Sequence, residues 1–228
     1  MAKRDFIAGA KGGKDGADMI KTAVLVSGGG MTLQSILDSY FFQEIENCEL
    51  TAVISSDGDA YALTRARAAM VPGYVVDASL FPNINSFSNA VFGKLRDLDI
   101  DLVVLAGWDY GLDKQTLRYF RNRIITTWPS LVPAFCDSPD QSAALQERVL
   151  AAGVRITGGT SCFLTEEGGI GPIIQQKAVE VRRGETAKSL QRRVMEEAER
   201  TLLTDALQLY CAGRLKVTDG LVDILPKE

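Results

Sequence analysis

The chain has 228 residues, a net charge of −4 and a hydrophobic content of 46%, which is enough for one sizeable core and typical of a globular protein. A negative net charge provides no broad cationic surface for phosphate backbones, which argues against a dedicated nucleic-acid binder. No apolar run approaches the ~20 residues that cross a bilayer, and the N-terminus lacks the apolar core of a signal peptide. We therefore expect a cytoplasmic protein with neither a nucleic-acid nor a membrane partner.

Two residue types restrict the chemistry. The chain contains no histidine, so any proton transfer near neutral pH must use a carboxyl, amine, thiol or phenol whose pKa is perturbed. Its cysteines are far apart and form no C-x-x-C pair; they are Cys48, Cys136, Cys162 and Cys211. This pattern predicts reduced thiols, most of them buried, and no metal site.

The first part of the chain changes character near residue 20. Residues 1–20 are rich in Gly, Lys and Asp without a sustained hydrophobic period, which predicts a flexible leader, and residues 21–228 are predicted to form a single domain. Residues 22–26 are a β-branched run that predicts a strand, followed by a glycine turn at residues 27–30. A helix follows, because apolar side chains recur at helical spacing at Leu33, Ile36, Leu37 and Tyr40.

Strands and helices keep alternating up to residue 127. In order, we predict a strand at 50–55, a helix at 61–70, a strand at 74–76, a helix at 86–98 and strands at 102–106 and 124–127. The strand at 102–106 is apolar on both faces, which is typical of a parallel sheet covered by helices. We therefore predict an α/β fold with a Rossmann-like, mostly parallel sheet. Its ligands should lie beyond the carboxyl ends of the strands, near Ser27, Ser55, Ala106 and Thr126.

The last hundred residues have a different pattern. A loop containing Pro129, Pro133 and Pro139 precedes a helix predicted at residues 141–152. Two strands are predicted at 154–164 and 173–181, and a long helix at 187–212. The inward stripe of that helix is predicted to consist of Leu190, Val194, Ala198 and Leu202.

The glycine turn is a candidate phosphate site. Ser27-Gly28-Gly29-Gly30 opens a helix directly after a strand, so backbone N–H groups and the helix dipole could hold a phosphate there. The alternative is a tight turn that needs glycine for its dihedral angles and binds nothing. A dinucleotide site is disfavoured, because Leu33 replaces the third glycine and Asp57 comes too late for a ribose ligand.

Seven short segments occur in an order and spacing typical of one enzyme family. They are residues 26–34, 53–56, 61–66, 104–107, 129–133, 171–174 and 213–215. With these segments the chain resembles the glycinamide ribonucleotide formyltransferases over nearly everything after residue 21. The resemblance implies a formyltransferase fold and a role in purine biosynthesis, in which the amine of glycinamide ribonucleotide takes the formyl group of 10-formyltetrahydrofolate.

The resemblance also implies where the ligands bind. The phosphorylated substrate would contact Gly28, Gly29, Gly30, Met31, Thr32, Gly107, Pro129 and Glu199, the last at the family's ribose-binding position. The folate would contact Trp108, Asp109, Tyr110, Gly111, Leu112, Glu166 and Glu167.

The chain departs from the family at the catalytic positions. The family's Asn, His and Asp correspond here to Thr126, Trp128 and Gly169. Attack on a formyl carbon needs a donor for the oxyanion and a group that accepts the proton of the amine. Thr126 keeps a hydroxyl, but an indole N–H does not exchange protons at neutral pH and glycine has no side chain. We therefore expect weak or absent formyl transfer.

Other interpretations remain open. An active formyltransferase could use Thr126 as the donor and Glu166, Glu167 or Asp109 as the base. A pseudoenzyme could instead bind a small phosphorylated metabolite or a protein partner, as a monomer or a homodimer. Trp128 could simply fill the pocket of a lost ligand, and Glu199 could be a solvated charge on a surface helix.

Overall fold

The computed structural model describes residues 6–8, 19–137 and 143–227. The strands are β1 (Phe6–Ile7), β2 (Ile20–Val26), β3 (Cys48–Ser55), β4 (Gly73–Val75), β5 (Leu102–Leu105), β6 (Ile124–Trp128), β7 (Ile156–Leu164), β8 (Ile170–Glu180), β9 (Leu215–Thr218) and β10 (Leu221–Ile224). The helices are α1 (Met31–Phe41), α2 (Tyr61–Ala68), α3 (Ile84–Asp97), α4 (Lys114–Tyr119), α5 (Ala143–Ala151), α6 (Ala187–Val194) and α7 (Arg200–Cys211). A 3₁₀ turn spans Ala78–Leu80, and a π-helical turn at Met195–Glu199 joins α6 to α7.

A seven-stranded sheet in the order β4-β3-β2-β5-β6-β7-β8 forms the centre of the protein. The pairs from β4 to β6 are parallel, whereas β7 is antiparallel to both β6 and β8. The strand order reverses between β2 and β5, which is where ligands bind in open α/β sheets. The predicted α/β fold with a mostly parallel sheet is therefore confirmed.

Alternating side chains on β2 explain why helices cover both faces of the sheet. Val24 and Val26 point into one apolar cluster, which the buried sides of α1 and α7 complete. Ala23 and Leu25 point into a second cluster on the other face, against α3 and α4. The long apolar strands thus need cover on both sides, as the sequence predicts.

A third apolar cluster joins α5 to the stretch from α6 to α7. The predicted inward stripe of the last helix belongs to this cluster, with Leu190, Val194, Ala198 and Leu202 all buried. The helix predicted at 187–212 is present, but the π turn that interrupts it was not anticipated. The carboxyl end of β6 lies against this region, because Trp128 packs on the same cluster.

Residues 6–8 differ from the flexible leader that the sequence predicts. Phe6–Ile7 pairs antiparallel with β9, and Ala8 is fully buried, so residues 6–8 belong to the fold rather than to a flexible leader. Pairing with β9 lets Ala8 and part of Phe6 bury apolar surface, whereas Ile7 stays exposed. The remainder of residues 1–18 lies outside the described residues, as do Pro139 and Gln141 of the predicted loop and helix.

The pairing of β7 with β8 requires a glycine at position 158. A Cβ there would collide with the backbone carbonyl oxygen of Lys177 and lie 2.9 Å from Leu131 Cδ2. We expect Gly158→Ala to lower the free energy of unfolding by about 2 kcal/mol, because the strands must separate to admit a methyl group. Urea denaturation measures the change.

Gly93 in α3 provides the matched control. A Cβ there meets no atom of the described chain within 4 Å, so Gly93→Ala should raise stability by up to about 1 kcal/mol through helix propensity. Equal stability of Gly158→Ala and the wild type would contradict the strand register.

Candidate functional site

Ser27 connects the carboxyl ends of three neighbouring strands. Its backbone N–H donates to Gly107 O (2.8 Å), and its Oγ accepts bonds from Ser56 Oγ (2.8 Å) and the Asp109 N–H (3.0 Å). These residues follow β2, β3 and β5, so the loops after all three strands share one hydroxyl. The structure therefore brings together the turn at Ser27 and the loop at Gly107, as the sequence predicts.

The glycine turn presents its open side to solvent. Gly30 caps α1 in the left-handed conformation (φ 69°), and a Cβ there would lie only 2.8 Å from Ala62 Cβ of α2. Within the described part of the chain, Cβ atoms at Gly28 and Gly29 would meet nothing within 4 Å. No side chain among these residues caps the helix, and its first turn carries no acidic residue. Free N–H groups and the positive end of the helix dipole make this turn suitable for an anion.

Two of the three predicted catalytic positions lie on β6. Thr126 is 8% exposed, and among the described residues its hydroxyl makes one long contact, of 3.4 Å with the carbonyl of Thr127. The neighbour of Thr126 on β7 is Cys162, whose pKa burial raises to about 12. The indole Nε1 of Trp128 is enclosed and has no hydrogen-bond partner in the described residues, while its ring packs on the third cluster. Neither side chain presents a group that exchanges protons at neutral pH.

Gly169 lies apart from these residues, in the turn between β7 and β8. Its N–H donates to Thr165 Oγ1 (3.1 Å), and its carbonyl accepts from the Thr165 N–H (3.0 Å). A Cβ at Gly169 would meet Thr165 Oγ1 at 3.6 Å, an ordinary contact. A larger side chain could therefore be accommodated at this position.

The loop predicted to bind folate is packed by its own aromatic residues. Trp108 stacks on Phe87 of α3 with ring centroids 5.6 Å apart and an interplanar angle of 16°. Tyr110 contacts both rings, at 4.9 Å from Phe87 and 5.8 Å from Trp108. Leu112 also packs on the cluster under α3, whereas a Cβ at Gly111 would meet no described atom within 4 Å. The loop is thus anchored to the core on one side.

On its other side this loop borders an acidic cavity of about 350 Å³. The cavity is lined by Ser27, Ser56, Asp57, Asp59, Asp77, Ser79, Asp109 and Tyr110. Four carboxylates at the ends of neighbouring strands create a negative potential, which disfavours anionic ligands there. The glycine turn therefore favours an anionic ligand whereas this cavity disfavours one, although Ser27 borders both.

The two glutamates proposed as alternative bases are on the surface. Glu166 pairs with Arg118 of α4 (3.6 Å) and with Arg121 (3.3 Å). Glu167 is exposed. The ion pairs hold Glu166 toward α4, so the structure does not bring it together with Thr126.

Glu199 is partly buried and bonds to the central sheet, so the interpretation of this residue as a solvated surface charge is wrong. It ends the π turn, and its Oε2 accepts a hydrogen bond from Thr127 Oγ1 on β6 (3.1 Å). Loss of hydration raises the pKa of Glu199 to about 7, although the bond from Thr127 acts in the opposite direction. Gly159 on β7 provides the space, since a Cβ there would lie 3.1 Å from Ala198 Cβ and 3.5 Å from Glu199 Cγ.

The sequence did not predict the surroundings of the Glu199 carboxyl, nor the positions of two arginines at the glycine turn. Arg65 donates from Nε to Gly29 O (2.8 Å), and Arg200 donates from Nη2 to Met31 O (3.3 Å). Arg65 lies in one of the segments of the family resemblance, which was its only signal. Arg200 follows the family's ribose-binding position in the sequence, but its approach to Met31 spans 169 positions and has no local signal.

Known proteins resemble the chain along most of its length. Residues 20–207 match the family described as Formyl transferase. The chain is 31% identical to phosphoribosylglycinamide formyltransferase of Haemophilus influenzae over 203 residues, which are 89% of this chain and 92% of that protein. It is 34% identical to the trifunctional purine biosynthetic protein adenosine-3 of Gallus gallus over 91% of this chain, but spans only 20% of the length of that relative. Glycinamide ribonucleotide transformylase 1 from Symbiobacterium toebii has a similar structure, with a TM-score of 0.83 and 37% identity over 92% of this chain and 96% of that one.

The raised pKa of Glu199 makes stability depend on pH. Between its ordinary value of 4.5 and about 7, the folded state holds a proton that the unfolded state has lost. The free energy of unfolding should therefore fall as pH rises through this window, by up to about 3 kcal/mol. Glu199→Gln cannot ionise, so it should lose this part of the pH dependence and be more stable than the wild type above pH 7.

Chemical denaturation between pH 4.5 and 8.5 measures the effect, with Glu196→Gln as control because Glu196 is exposed on the same turn. Parallel stability curves for the wild type and Glu199→Gln would contradict the burial of this carboxyl.

Proposed function

The chain belongs to the phosphoribosylglycinamide formyltransferase family, and from this membership we propose that it binds a phosphorylated substrate but transfers formyl groups slowly or not at all. A single observation carries the second half of this statement. Thr126, Trp128 and Gly169, which the family resemblance aligns with a catalytic Asn, His and Asp, present no group for proton exchange.

The residues at these positions lower the expected rate of formyl transfer, for reasons that follow from the reaction. When an amine attacks a formyl carbon, the carbonyl oxygen becomes an oxyanion and the nitrogen must lose a proton. Loss of an oxyanion donor typically lowers the rate about 10²- to 10³-fold, and loss of acid–base help about 10²- to 10⁴-fold. Such losses do not multiply within one catalytic unit. Even the smaller one leaves a slow enzyme.

The geometry of the glycine turn supports retained substrate binding. Gly28 and Gly29 leave the approach to the turn open, and the uncapped N-terminus of α1 offers N–H donors. Gly107 is fixed beside this turn by its bond from the Ser27 N–H. An anionic phosphate fits this arrangement, since N–H groups and the helix dipole favour negative charge.

The residues around Asp109 fit 10-formyltetrahydrofolate poorly. Folate is an anion, whereas the adjacent cavity is lined by Asp57, Asp59, Asp77 and Asp109. Close carboxylates repel an anionic ligand unless a cation intervenes. We therefore expect weak folate binding, which adds to the loss of catalytic groups.

A second candidate is a slow but real transferase that uses Glu199 as its proton acceptor. The observation that favours it is the position of Glu199, whose carboxyl accepts a bond from Thr127, the residue after Thr126 on β6, and whose pKa burial raises to about 7. General bases work best when their pKa lies near the operating pH. In that case the rate would rise with pH through about 7 and disappear in Glu199→Gln.

Restoring the missing groups tests the main proposal. The variant carrying Thr126→Asn, Trp128→His and Gly169→Asp should exceed the wild type at least about 100-fold in formyl transfer, because it regains an oxyanion donor and a proton carrier. Turnover is followed spectroscopically with 10-formyltetrahydrofolate and glycinamide ribonucleotide, using protein purified from a host that lacks its own enzyme.

The matched control replaces Trp128→His by Trp128→Gln in the same triple variant, which restores polarity without a proton carrier. It should remain well below the histidine variant. Wild-type turnover equal to that of an ordinary family member would contradict the proposal.

A further inference from the structure

The π turn at Met195–Glu199 determines the direction in which the Glu199 side chain leaves the last long helix. A π turn is closed by i→i+5 bonds and therefore contains one residue more than a turn of α-helix. Each residue of an α-helix advances about 100° around the helix axis. If this segment relaxed to a regular α-helix, Glu199 would rotate by that angle relative to α6. The contacts that hold the π turn therefore decide whether Glu199 faces β6.

Arg193, in the last turn of α6, connects the π turn to two neighbouring segments. Its Nε donates to Glu197 Oε1 in the π turn (2.9 Å). Its Nη1 donates to Glu185 Oε2 in the loop before α6 (3.0 Å) and to the carbonyl oxygen of Glu180 at the end of β8 (3.1 Å). Arg193 is 8% exposed, so these bonds are largely shielded from water. The π turn is therefore fastened to an edge strand of the central sheet.

The two carboxylates of this cluster depend on Arg193. In the described part of the chain, the ion pairs of Glu185 and Glu197 are both made with Arg193. The Glu185 side chain is 4% exposed, and a buried carboxylate that loses its cation is strongly destabilising. The contact with Glu197 is forked, since Arg193 Nη2 also lies 3.3 Å from Glu197 Oε2. A planar guanidinium can make this fork and still reach Glu185, whereas a lysine ammonium is a single point charge.

The other side of the π turn carries the Glu199 carboxyl. Glu199 Oε2 accepts the hydrogen bond from Thr127 Oγ1 of β6 (3.1 Å). The preceding residue, Ala198, packs on β7, where a Cβ at Gly159 would lie 3.1 Å from Ala198 Cβ. Over the described residues, Arg193 makes no hydrogen bond to Glu199 or Thr127. An effect of Arg193 on Glu199 must therefore pass through the backbone of the turn.

We propose that Arg193 is a positioning residue of the candidate site, which fixes the π turn so that the Glu199 carboxyl lies against Thr127. The bonds of Arg193 on one side of the turn and the bond of Glu199 on the other side require the same backbone conformation. The chemical use of Glu199, as the proton acceptor of the second candidate, rests on the proposed function. The geometric role of Arg193 does not depend on that use.

The titration of Glu199 tests this role without any ligand. Carbon-13 NMR of protein labelled at the glutamate carboxyl carbons follows its resonance, which is identified by its absence from the spectrum of Glu199→Gln. In Arg193→Met the turn is released and Glu199 gains hydration, so the midpoint should lie closer to 4.5 than to the wild-type value of about 7. Loss of a positive charge by itself would raise the pKa of a carboxyl, so a fall identifies a change of position.

Two variants serve as controls for the substitution of Arg193. Arg193→Lys keeps the charge without the fork, so its midpoint should lie between those of the wild type and Arg193→Met. Arg192→Met makes the same substitution at the neighbouring position, which is exposed on α6, and it should titrate like the wild type.

A midpoint in folded Arg193→Met equal to that of the wild type overturns the proposal. If Arg193→Met does not fold, Glu197→Ala decides, because it leaves Arg193 bonded to Glu185 but removes its hold on the turn. Its midpoint should fall, whereas Glu196→Ala, which removes the same charge from an exposed position of that turn, should titrate like the wild type. Equal midpoints in these two variants contradict the role of Arg193. Rapid formyl transfer by the wild type would refute the proposed function but not this role, since the titration needs no substrate.

Discussion

The hydrogen bond between Thr127 and Glu199 ties the last long helix to the carboxyl end of the central sheet. It exists because a π turn interrupts the helix, and such turns commonly occur at functional sites. Arg193, almost fully buried, fastens the start of this turn through bonds to Glu185 (3.0 Å) and Glu197 (2.9 Å). One irregularity therefore directs Glu199 toward β6 and the next residue, Arg200, toward the glycine turn.

Ser27 separates a positively charged region from an acidic one at the carboxyl edge of the sheet. On one side, Arg65 and Arg200 flank an uncapped helix N-terminus, which attracts anions. On the other side, Asp57 and Asp109 contribute to an acidic cavity, which repels them. Under the proposed function, these charges favour the phosphate of the substrate and oppose an anionic folate.

Local patterns in the sequence were sufficient for the fold but not for the site. The alternation of strands and helices predicted the parallel sheet, since β2 and β5 are apolar on both faces. The pairing of Phe6–Ile7 with β9 was missed, because two residues give no periodicity and their partner lies at the other end of the chain. The burial of Glu199 was missed for a similar reason, since it depends on the glycine at position 159 and on a π turn that no local pattern signals.

In a chain without histidine, burial raises the pKa of the Glu199 carboxyl beside β6 to about 7, so this group exchanges protons near neutral pH. Carbon-13 NMR of protein labelled at the glutamate carboxyl carbons measures this directly. Burial of Glu199 predicts one resonance that titrates with a midpoint of about 7 and is missing from the spectrum of Glu199→Gln. A midpoint for that resonance near the ordinary value of 4.5 would show a hydrated carboxylate and contradict the claim.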